Sequence, residues 1–196
     1  ILGRALPTPS RRADTMGMPA RHYYTAADVL ALPEDGNRYE VVHGKLLVTP
    51  SPRPAHQRVL SRLIDRLGPY LARHPVGEWL PGGDLSWSPD SLVVPDLFVV
   101  DRAEAGATRW EEVKTLLLVV EILSPSTAER DRFTKRRLYQ EVGIPVYWLV
   151  DADAKVVEVW TPDCHFPVME REEIRWHPEG AAEPLVVQLA ELFRAV

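Results

Sequence analysis

The chain has 196 residues, 45% apolar and 26% charged, the make-up of one globular domain with an ordinary core rather than a largely disordered chain. Its formal net charge of −5 argues against a general nucleic-acid binder with a strongly basic surface, and no apolar run reaches the ~18 residues of a membrane span. A single cysteine, Cys164, rules out an internal disulfide and a multi-cysteine zinc site, and the expected compartment is a reducing cytoplasm.

Residues 1–22 carry Arg4, Arg11, Arg12 and Arg21 against Asp14 alone, among prolines and small residues with no period. They read as a flexible tail without the apolar segment of a secretory signal, ahead of a single domain over residues 23–196. Thr25 with Asp28 forms the pattern of a capping box before a short helix through Leu32. Arg38–Val42 and Lys45–Thr49 flank His43-Gly44, which predicts a hairpin with a two-residue turn. After a stiff Pro50–Pro54 connector, Val59, Leu60, Leu63, Ile64, Leu67 and Leu71 keep helical spacing over Ala55–Arg73, with Arg58, Arg62 and Arg66 on the other face.

The centre reads as strands. Glu78–Leu80 and Asp84–Trp87 are short, whereas Leu92–Val100 and Thr115–Leu123 are nearly continuous apolar runs, as expected of strands buried on both faces. A helix is predicted over Thr127–Val142, capped by Ser126 with Glu129 and ended by Gly143. Ile144–Val150 and Lys155–Trp160 are further strands. The strand–helix–strand order from Leu116 to Val150 favours a parallel, right-handed crossover. One or two peripheral strands and a short helix from about Val187 complete a mixed α/β fold.

Asp96 and Glu121 are the single acids inside the two apolar central runs. A buried carboxylate must be paired, protonated or bound to a metal. Pro95 lacks an amide donor, so the ladder is interrupted beside Asp96, and Glu121 lies near the carboxyl end of its strand, where open α/β sheets place ligands. The plain alternative is a structural ion pair with a neighbouring arginine or lysine. On the following helix Asp131, Lys135 and Tyr139 recur at i, i+4 and i+8, close to Leu138, which turns a lysine toward the sheet.

Val94-Pro95-Asp96, the run Leu118–Thr127 around Glu121, then Asp131, Lys135 and Tyr139, and finally Pro145–Asp151 resemble a large bacterial group of restriction-endonuclease-like proteins in the PD-(D/E)XK nuclease superfamily. Tyr39-Glu40 with Gly44, and His56-Gln57, match the same pattern, and the resemblance runs from about Tyr24 to Phe193. It implies a restriction-endonuclease-like core, a central mixed sheet flanked by helices. It also implies a divalent metal, magnesium or else manganese, held by Asp96, Glu121 and the carbonyl of Ile122, hard oxygen donors suited to such ions. In the superfamily a lysine follows the acid by two residues. Here that position is Leu123, and Lys135 on the next helix is the matching residue.

The resemblance thus gives Asp96, Glu121 and Lys135 as catalytic candidates, with Glu40, His56 and Tyr139 secondary. Glu40 is either a further acid near the metal or an exposed strand acid, His56 either a phosphate or carboxylate contact or a helix-start histidine. Arg58, Arg62, Arg132 and Arg136 are candidate nucleic-acid contacts, a solvated face being the alternative for the Arg58–Arg62–Arg66 stripe. The expected function is metal-dependent hydrolysis of phosphodiester bonds in DNA, by a homodimer if both strands of a duplex are cut. The competing reading is a catalytically inactive nuclease fold that binds nucleic acid or a protein partner. A small-molecule α/β enzyme is disfavoured by the lack of a phosphate-binding glycine loop or a Gly-x-Ser-x-Gly elbow.

Overall fold

The computed structural model describes residues 22–195; the tail expected over residues 1–22 lies outside that range but for His22. Helix α1 (Ala26–Leu30) begins with the expected box, Thr25 Oγ1 accepting the Asp28 N–H and the Asp28 carboxylate accepting the Thr25 N–H. Strands β1 (Arg38–Val42) and β2 (Lys45–Thr49) form the expected hairpin. Its turn places His43 and Gly44 at φ 49° and 74°, the left-handed pair a tight hairpin turn demands. Helix α2 (Pro54–Arg73) buries Val59, Leu63, Leu67, Tyr70 and Leu71 along one stripe.

The chain continues through β3 (Gly77–Leu80), β4 (Leu85–Ser88), β5 (Ser91–Val93), β6 (Leu97–Asp101) and β7 (Leu116–Ile122). The next helical stretch is α3 (Ala128–Arg130), a π-turn over Asp131–Lys135, and α4 (Arg136–Glu141), followed by β8 (Tyr147–Asp151) and β9 (Val156–Trp160). The tail of the domain adds β10 (Val168–Glu170), β11 (Glu173–Trp176), β12 (Leu185–Gln188) and α5 (Leu189–Leu192), more strand than expected there.

A six-stranded sheet runs β10-β9-β8-β7-β6-β3, with β7 and β8 parallel, as the crossover predicts, and every other pair antiparallel. A second sheet runs β2-β1-β5-β4, and β11 pairs with β12 alone. Strand alternation divides the core. Leu97, Val99, Leu118, Val120, Trp148 and Val150 face α2 together with β11, β12 and α5. Phe98, Val119, Tyr147 and Leu149 face α4 and the small sheet. No helix of the described residues is long and apolar enough to cross a membrane.

Two sequence expectations are corrected. The run Leu92–Val100 is two strands in two sheets, because Pro95 cannot donate to a ladder and the chain changes sheets across Val94–Asp96. The helix after β7 is not capped by Ser126 with Glu129. Its N-cap is Thr127, which makes no side-chain capping bond. Instead the Thr127 hydroxyl accepts the Ser124 N–H, and the Ser126 hydroxyl lies 3.0 Å from that of Ser124, so a local turn engages both.

Gly77 lets β3 lie against β6: a Cβ there would sit 2.2 Å from the Val100 carbonyl oxygen, a backbone atom that cannot step aside. Gly77→Ala is expected to destabilise the fold by about 1–3 kcal/mol in urea unfolding, while Gly106→Ala, whose Cβ meets nothing within 4 Å, stays within about 0.5 kcal/mol of the parent.

Candidate active site

The antiparallel register of β6 on β7 pairs Phe98 with Val119 and Leu97 with Val120. One further step sets Asp96 opposite Glu121, on the face shared by Phe98 and Val119. The ladder stops there, and the Asp96 side chain takes its place: Oδ2 accepts the Ile122 N–H at 2.8 Å. In an extended strand the N–H and C=O of one residue leave the same edge, so the Ile122 carbonyl lies on the side of Asp96. Both carboxylates are buried, Asp96 being 6% and Glu121 1% exposed.

Glu121 is met from the helix side. Lys135, 1% exposed, donates from Nζ to Glu121 Oε1 and forms an ion pair with Glu40 Oε1, each at 2.7 Å, and lies 3.9 Å from Asp131 Oδ1. The expected i, i+4 contact between Asp131 and Lys135 is thus the longest of the three. The π-turn over Asp131–Lys135 widens the helix at this point, a feature frequent at functional sites. The Tyr139 hydroxyl donates to Glu121 Oε1 at 2.9 Å. Leu123, in the position usual for the lysine, packs against the apolar cluster on this face.

Asp96 is met from the other side. Arg38 donates from Nη1 to Oδ1 at 3.2 Å, and His56 Nε2 lies 2.9 Å from Oδ2. Arg38 is absent from the sequence candidates, although a signal was available: it stands two residues before Glu40 on one strand and so shares its face. Glu40 is fully buried, not an exposed strand acid. Its Oε1 also accepts the Val94 N–H at 2.7 Å, which ties the small sheet to the sheet-switching segment, while its Oε2 is buried without a hydrogen bond.

Four buried carboxylates, those of Glu40, Asp96, Glu121 and Asp131, therefore face three permanent cations, Lys135, Arg38 and, at Asp131, Arg130. The shortage falls unevenly. Burial pushes Glu121 up to about 8, against the pull of Lys135 and with the help of Asp96, Asp131 and Glu40. Its 2.7 Å contact with Lys135 would by itself hold Glu121 charged, but one ammonium is divided among three acids. For Asp96 burial also opposes ionisation, yet His56, Arg38 and the Ile122 N–H outweigh it and hold the group down to about 2. Burial lowers and the three acids raise Lys135, with a net rise that keeps it charged.

Asp96, Glu121 and Ile122 line a cavity of about 510 Å³, walled by Asn37, by the loop Pro50–Arg53 and by Ser124–Thr127. Among the described residues no three His, Cys, Asp or Glu side chains converge as a complete metal cage. Two carboxylates, a main-chain carbonyl and open space beside them instead suit a hard divalent ion that keeps several of its waters. The excess of buried negative charge points the same way.

Three of the four arginines predicted to meet nucleic acid are engaged within the chain. Arg62 donates to the carbonyls of Leu192 and Arg194, and Arg66 pairs with Glu191, so two of the stripe fasten the C-terminal segment to α2. Arg132 bridges Asp151 and Glu158 at 2.9 and 2.7 Å. Arg136 stacks 4.5 Å over Trp160 and donates to Gln140. Arg58 is exposed.

Removing the ammonium leaves three buried acids without their shared partner. Lys135→Met is expected to lower stability by about 3–5 kcal/mol at pH 7, and adding Glu40→Gln is expected to recover part of the loss, as read by urea unfolding of the two variants.

No curated protein matches the chain. Among solved structures, the crystal structure of a putative nuclease belonging to DUF820 from Anabaena variabilis superposes with a TM-score of 0.73 over 87% of this chain and 97% of that one, at 22% identity, a likeness of fold. The mixed sheet flanked by helices is thus a fold that the two chains share. A profile described as "Putative restriction endonuclease" matches residues 26–190, and the chain belongs to that family, Uma2.

Proposed function

We propose that the protein is a magnesium- or manganese-dependent endonuclease that hydrolyses phosphodiester bonds in DNA. The observation that carries this reading is the meeting of Asp96 and Glu121, from two strands, at one cavity, with Lys135 of the following helix bonded to Glu121. Asp96, Glu121 and the Ile122 carbonyl are the proposed metal holders, and the ion, when bound, orients and acidifies a water and offsets charge on the phosphate.

The remaining parts belong to the chain itself. Lys135 donates to Glu121 and pairs with Glu40, so its ammonium sets a fixed positive charge behind the metal-holding acid, where it offsets negative charge developing on the phosphate. Glu40 and the Tyr139 hydroxyl fix the lysine and Glu121 in place, so the lysine performs from the helix the task usually done from the strand. His56 and Arg38 orient Asp96 and discourage its protonation. The buried surroundings strengthen each of these attractions relative to water.

Purified protein with magnesium or manganese is expected to cleave a labelled single-stranded DNA oligonucleotide, and Asp96→Asn and Lys135→Ala are each expected to lower the rate at least about a hundredfold. Equal rates in the parent and both variants would defeat the proposal. In calorimetry manganese is expected to bind the parent and to bind Asp96→Asn at least tenfold more weakly; parent protein that binds no manganese would favour the non-catalytic reading.

A further inference from the structure

We infer that the substrate of this site is an unpaired nucleic-acid strand, one nucleotide of which enters the cavity, and not an intact duplex lying across it. The inference rests on the hydrolytic reading above. The carboxylates that must approach the scissile phosphate are 6% and 1% exposed at the floor of a cavity of about 510 Å³. That volume is of the size that holds one small molecule. A phosphate carried by a stacked, paired nucleotide keeps both strands beside it and cannot follow into such a space. Enzymes that act on a nucleotide inside a recessed pocket take it unpaired or extruded from the stack.

The charges of the rim give an independent argument. A duplex binder that neutralises 6–10 phosphates does so with as many lysines and arginines. The basic side chains lining this cavity are Arg38, Arg53 and His56, and the first and last are held by Asp96. Arg53 has no ion pair among the described residues, and Glu34 on the same rim repels a polyanion. Around the site Arg130 is engaged by the Val48 carbonyl, while Arg62, Arg132 and Arg136 hold the partners named above. The cleft thus grips one or two phosphates. Its other polar groups, among them Asn37, Ser51, Ser124 and Ser126, suit sugar and phosphate oxygens. One site cutting one unpaired strand does not call for the two-fold pair of subunits that duplex cutting suggests.

The test uses the full chain with manganese and three DNAs of one sequence: a single strand, a duplex closed at both ends by hairpins, and the same closed duplex with a central unpaired bubble. Single-turnover cleavage of the strand and of the bubble is expected to be at least tenfold faster than that of the closed duplex. Fluorescence anisotropy in EDTA is expected to show tighter binding of the strand, with log K falling against log[salt] by about 0.7–1.4, the value for one or two contacts on a single strand. Arg53→Ala is expected to reduce that slope by about 0.7. Closed duplex cut or bound as well as the strand would overturn the inference. Preferential binding of the strand with cleavage of none of the three would uphold the ligand class and overturn hydrolysis.

Discussion

The ammonium of Lys135 lies between the carboxylates of Glu40 and Glu121, at 2.7 Å from each, and is almost wholly shut off from water. Among the described residues it is the cation bonded directly to Glu121, while Arg38 acts on that acid without an ion pair, so this group does most to offset the burial of the acid in an apolar sheet. It also joins three separate parts of the chain. Glu40 belongs to the small sheet, Glu121 to the large one and Lys135 to the helical crossover between β7 and β8. A contact of this kind demands good geometry, because the desolvation of each partner opposes it. The apolar layers on both faces of the large sheet supply the rigidity that such geometry needs.

The break at Pro95 has a comparable reach. An uninterrupted strand over Leu92–Val100 would have satisfied its backbone in a single ladder and left no room for a side chain. By changing sheets there, the chain frees the Ile122 N–H, and the Asp96 carboxylate takes the place of a strand partner. The same substitution turns Asp96 toward the cavity and brings Arg38 and His56 onto it from β1 and α2. Backbone satisfaction and site construction are therefore one event, since the group that completes the hydrogen bonding of β7 is also the acid at the cavity floor.

Charge distribution separates the roles of the arginines. An amphipathic stripe such as Arg58, Arg62 and Arg66 looks alike in sequence whether it faces solvent, a polyanion or another segment of the chain. In the fold, two of the three fasten α5 and the residues after it to α2. Arg132 and Arg136 likewise hold β9 against the crossover helix through Glu158 and Trp160. These guanidinium groups act as internal struts, and the positive field left at the cleft is small. That accords with a chain whose net charge is negative.

Local order was legible because short-range chemistry dictates it: the Thr25 box, the His43-Gly44 turn, the stripe of α2 and the parallel crossover all follow from spacing and from residues with strong conformational demands. The oddity of an acid in each of two apolar runs was equally visible, since no local interaction accounts for Asp96 or Glu121. The π-turn was not legible, because no residue type announces it. Nor was the division of Leu92–Val100 between two sheets, the recruitment of Arg38 or the burial of Glu40. Each depends on which distant strand lies alongside, and hydrophobic pattern records only that a residue is buried, not what it is buried against.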